Sequence, residues 1–169
     1  MALRFLELKS ADVELMEAEL RTLCARSGAE SVVLLDLSGV VLASHRIPEK
    51  MDGLLFGALL SGNFAATEEL ARRLGVLDFR VMYHEGRRQN LYFDKVTEET
   101  VLVVLFKDSN ALGRVKLFSE KALPELARMV GEITRRPETT PDLPQARSAA
   151  EYLARLAQSI QPGDGLDQV

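Results

Sequence analysis

One cysteine, two histidines and no excess of basic residues limit what this chain of 169 residues can do. A lone Cys24 excludes an internal disulfide, fits a reducing compartment and reads as a small buried apolar residue on a helix. Lys and Arg number 21 against 25 Asp and Glu, for a net charge of −4. Acidic residues interleave the arginines, so no basic stripe forms and no nucleic-acid partner is expected. No apolar run reaches the roughly 20 residues of a bilayer span, so no membrane insertion is expected. Met1-Ala2-Leu3-Arg4 leads into no unbroken apolar stretch of signal type. The expected location is the cytoplasm.

Catalytic chemistry is equally sparse. There is no Gly-x-x-x-x-Gly-Lys-[Ser/Thr] loop to cradle nucleotide phosphates. No Cys pair and no His-Glu-x-x-His spacing offers a metal site. His45 and His84 fall at the ends of separate strands, and Asp36 reads as a turn former. Glu68-Glu69 and Glu98-Glu99 read as solvated charge. The chain is expected to be a non-enzyme, with no cofactor and no metal.

What the sequence does have is a 47% hydrophobic composition, enough for one domain with a sizeable core, and a helix without a polar face. Gly53 to Ala66 is uncharged throughout, and the helical pattern continues through Leu74. A surface helix normally needs only one apolar stripe. Leu55, Leu59 and Ala66 are assigned to the domain's own core. Gly57, Ser61, Phe64 and Ala65 then form a second face that another protein should cover. With Glu68 and Arg72 they make up the candidate partner-binding set, shared between self-association and a second protein.

The remaining elements follow from periodicity and punctuation. Val13, Met16, Leu20, Leu23 and Cys24 predict a helix over 11–28, with Ser10 as N-cap and Gly28 as stop. Ser31–Asp36 and Val101–Phe106 read as strands buried on both faces. Asp36-Leu37-Ser38-Gly39 turns the chain into an antiparallel strand over 40–44. Asp52 is the expected cap of the apolar helix and Gly75 its stop. Strands are predicted over 78–84 and 89–94, joined by a turn carrying Arg87 and Arg88. A last domain helix spans 111–133, with Pro124 expected to kink or split it. The order is α-β-β-α-β-β-β-α, a five-stranded antiparallel sheet with helices on both faces. The domain is placed at 1–134 and a Pro-rich linker at 135–144. An amphipathic C-terminal helix is placed at 145–160 and a disordered tail at 161–169.

That order resembles the Roadblock/dynein-light-chain family. Four stretches resemble its bacterial MglB group, named for mutual gliding motility. They are Leu35-Asp36-x-x-Gly39-x-Val41-Leu42-Ala43, Leu60 to Thr67, Leu91-Tyr92-Phe93-Asp94 and Leu112-Gly113-Arg114-Val115-Lys116-Leu117. The resemblance covers roughly residues 11–133. It implies a homodimer, or dimer of dimers, that activates a Ras-like small GTPase of the MglA type in cell polarity or motility. The resemblance further implies that the dimer reshapes the GTPase's switch regions, which then align the GTPase's own arginine and glutamine. Arg87 and Arg88 accordingly read as solvated turn charge, not as a finger in trans. Two other readings stand beside this one. One is a Roadblock-type scaffolding subunit without effect on hydrolysis; the other is a small-molecule sensor domain, which would need an internal pocket.

Overall fold

The computed structural model describes residues 8–48 and 52–136. Eight main elements follow in the expected order: α1 (Ser10–Ser27), β1 (Ser31–Asp36), β2 (Val41–His45), α2 (Gly53–Arg73), β3 (Val81–His84), β4 (Asn90–Lys95), β5 (Thr100–Phe106) and α3 (Leu112–Thr134). A single turn of 3-10 helix, Ser109–Ala111, leads into α3. The sheet is antiparallel throughout, in the order β2-β1-β5-β4-β3.

The two central strands explain the layering. Every residue of β5 is buried, as are five of the six in β1, because alternate side chains feed two cores. Val32, Leu34, Leu102 and Val104 meet Met16 and Leu20 of α1 and Val115 and Leu126 of α3. Val33, Leu35, Val101 and Val103 meet Phe56, Leu60 and Phe64 of α2 on the other side. The result is a three-layer sandwich with α2 alone on its face.

Local chemistry sets the element ends. Asp36 accepts from the Ser38 N–H at 2.7 Å, and Gly39 follows at φ +97°, which completes the expected turn. Gly28 closes α1 at φ +75°. Arg114 Nε donates to the Ser27 carbonyl at 2.8 Å, setting a cation at the negative end of α1. The Asp52 carboxylate accepts from the Leu54 and Leu55 N–H groups at 2.8 and 3.1 Å, as an N-cap should. Asp52→Ala is therefore expected to lose about 1 kcal/mol of stability, readable as a lower midpoint in urea.

Three details differ from expectation. Ser10 lies inside α1; Lys9 precedes it, and its N–H donates to Asp12. β3 starts at Val81, not at residue 78, because Asp78 takes φ +53° and breaks the extended run. Of the kink or split expected at Pro124, the split does not occur, and α3 runs as one helix. The proline lacks the N–H that would bond the Glu120 carbonyl, but neither residue is buried, and water can replace that bond. The helix proposed at 145–160, the tail at 161–169 and all but the first two residues of the 135–144 linker lie outside the described residues.

Candidate functional site

The face assignment of α2 is the main correction. Phe56, Gly57, Leu60, Ser61 and Phe64 point inward, while Leu55, Leu59 and Ala66 point out. Phe64 is fully buried, its ring 5.5 Å from that of Phe79 and 6.3 Å from that of Phe93. A Cβ on Gly57 would sit 2.2 Å from the Gly39 carbonyl oxygen, so this glycine lets the helix press on the β1–β2 turn. Ser61 is buried and donates to the Ala58 carbonyl at 3.1 Å. Gly57, Ser61 and Phe64 thus serve the domain itself and offer no partner surface. The sequence did carry a signal for this: Phe56, Leu60 and Phe64 lie four apart, the bulkiest row on the helix.

The outward row is apolar as well. Leu55, Leu59, Gly62, Ala66 and Leu70 follow one another at intervals of three or four residues. Leu55, Leu59 and Leu70 are 56, 59 and 56% exposed. Leu54 flanks the row at one end, and Leu74 and Leu77 extend it at the other, all highly exposed. The row leaves a contiguous apolar patch exposed on the chain by itself.

Beside the C-terminal half of α2 lies an open cleft of about 600 Å³, lined also by Phe79 and by Lys95 to Glu98 of the β4–β5 turn. It brings together the other three candidates, Ala65, Glu68 and Arg72. Ala65 is exposed at its edge. Glu68 accepts at 2.7 Å from Lys95 Nζ, which also bonds Glu98 at 2.9 Å. Burial opposes the Lys95 charge, but these two carboxylates outweigh it and raise the ammonium above its usual value. Arg72 grips Glu69 with two hydrogen bonds of 2.8 Å, and with Arg73 holds its carboxyl below the usual range. Lys95 and Phe79 were missed in the sequence because neither shares an element with α2.

Arg87 and Arg88 are exposed at the β3–β4 turn. His45 and His84 end β2 and β3 and stand apart. Among the described residues no helix is long and apolar enough to cross a membrane, and no three His, Cys, Asp or Glu side chains are placed to hold a metal ion.

Comparison with known proteins agrees with this geometry. The model of the Roadblock/LC7 domain matches residues 13–106. The gliding protein MglB from Thermus thermophilus is 35% identical, with a TM-score of 0.68 over 75% of this chain and 96% of its own. An MglB with a tetrameric arrangement is 34% identical, with a TM-score of 0.69 over 76% of this chain and 96% of its own. Myxococcus xanthus MglB is 31% identical, with a TM-score of 0.66 over 70% of this chain and 96% of its own. A search of curated proteins gives no match.

Proposed function

The chain belongs to the Roadblock/LC7 family, and on that premise we propose that it is a cytoplasmic, self-associating regulator of a Ras-like small GTPase of the MglA type. It binds the GTPase and speeds GTP hydrolysis by remodelling the switch regions, without catalytic residues of its own, in bacterial polarity or gliding motility. Similarity to MglB proteins supports the partner class. The observation that carries the reading is the outward apolar row of α2, from Leu55 to Leu70. At 1.5 Å per residue it runs for roughly 22 Å, long enough for two copies to pair and still present a platform to one partner. The short strand β3 forms one edge of the sheet.

Light scattering at micromolar concentration is expected to return two or four copies of the 18.7 kDa chain. Calorimetry of the chain alone with GTP and Mg²⁺ is expected to give no heat of binding, whereas titration with the GTP-loaded GTPase is expected to do so. A micromolar GTP affinity for the chain itself would replace this reading with a nucleotide site. Arg87→Ala is expected to retain most of the stimulation, because the turn arginines act in no finger.

A further inference from the structure

Asp94, on β4, is the one acidic side chain among the described residues with no exposed surface. The Tyr92 hydroxyl donates to its Oδ2 at 3.0 Å. Arg80 Nε lies 3.0 Å from Oδ1 as an ion pair, yet Oδ1 accepts no aligned hydrogen bond. The Arg80 guanidinium is half-exposed and also lies 3.8 Å from Glu120 of α3. Lys116 of α3 adds a positive charge, and β5 sets apolar Leu102 opposite Asp94. These are the charged and titratable groups around the carboxylate.

The position of the pair gives it leverage. Arg80 immediately precedes β3, and its carbonyl accepts from the Lys95 N–H at 3.0 Å. Asp94 itself is the register partner of Val81, the first residue of β3. The ion pair thus staples the entry of the edge strand to its neighbour. Just upstream is the corner with Asp78 at φ +53° and exposed Leu74, Val76 and Leu77. A buried carboxylate with one unbonded oxygen and a half-solvated partner is expensive to keep charged.

We propose that Asp94 and Arg80 form a proton-operated clasp on the free edge of the sheet. Ionised Asp94 holds Arg80 and the start of β3. A proton taken from solvent onto Oδ1 cancels the charge, releases Arg80 to water and loosens the corner between α2 and β3. Burial raises the Asp94 carboxyl above its ordinary range, against the opposing pull of Tyr92 and Arg80. Burial, with Asp94 close by, raises the Tyr92 phenol, so it remains a donor throughout. Folding carries Asp94 from water into the interior, and because its folded value lies above the unfolded one it favours the folded chain most at low pH, a contribution that falls as pH rises through the folded value. Release of Arg80 is a different step: it leaves Asp94 buried and frees only the guanidinium, so acid opens the corner without unfolding the domain. Asp94→Asn is therefore expected to fold. Weaker self-association in acid is a consequence that rests on the regulator reading above.

The test is amide hydrogen exchange of segment 76–84 in the full chain between pH 7.5 and 5, corrected for intrinsic rates. In the wild type, protection is expected to fall several-fold on acidification. Asp94→Asn is expected to show the low value at both ends, without the pH dependence; Arg80→Gln, a second variant that leaves Asp94 free to titrate, is expected to be low already at pH 7.5 and to fall no further in acid. Wild-type protection that stays flat, or variants that retain the wild-type pH dependence, would overturn the clasp. The readout requires neither GTPase nor dimer, so failure of the regulator reading leaves it intact.

Discussion

Gly57→Leu is expected to lower the melting temperature by about 10 °C or more. The first added atom would sit 2.2 Å from the Gly39 carbonyl oxygen, far inside van der Waals contact and against backbone, which cannot swing away. Gly39 is itself fixed at φ +97° in the β1–β2 turn. α2 would have to lift from the sheet and open the core around Phe56, Leu60 and Phe64. Overpacking of this kind costs about 3 kcal/mol, which for a domain of this size is on the order of 10 °C. Gly62 is the control, with nothing within 4 Å of its Cβ position. Gly62→Ala is expected to gain about 0.5–1 kcal/mol from helix propensity. Equal effects at the two positions, followed by thermal circular dichroism, would mean that α2 does not seat on the β1–β2 turn.

Leu59→Arg should leave the chain folded but monomeric. Leu59 is 59% exposed and stands in the middle of the outward row, so a free chain has little contact there to lose. Across an interface the arginine would be buried without a partner, at a cost of several kcal/mol. At about 1.4 kcal/mol per tenfold, association weakens by about 100-fold or more. Light scattering is expected to return about one 18.7 kDa chain, with the circular-dichroism spectrum retained. Ala65→Arg, at the cleft edge, is expected to keep the oligomeric mass and lose GTPase binding. An unchanged mass for Leu59→Arg would remove the outward row from the dimer.

The difference between these two helix faces was the hardest thing to read from the sequence. β1, β5, the Asp36–Gly39 turn, the Asp52 cap and the Gly28 stop announce themselves through local chemistry, and each stands where expected. The stretch of α2 from Gly53 to Ala66 carries no charge to orient it, so spacing alone did not settle which face of α2 meets the sheet. Only its fit to the sheet decides, through the bulk of Phe56 and Phe64 and the missing Cβ of Gly57. The cleft was opaque for another reason. Lys95 and Glu68 are 27 residues apart, and nothing local in either stretch marks the pair. Asp94 likewise reads as ordinary end-of-strand charge until Tyr92, Arg80 and α3 close over it.

Single-turnover hydrolysis by an MglA-type GTPase preloaded with GTP, with increasing amounts of this chain, puts the regulator reading to its most direct test. The expected result is a rate that rises and saturates with added chain, persists with Arg87→Ala and is lost with Ala65→Arg. A GTPase that binds the chain saturably and still hydrolyses GTP at its intrinsic rate would contradict activation and leave a scaffolding subunit in its place.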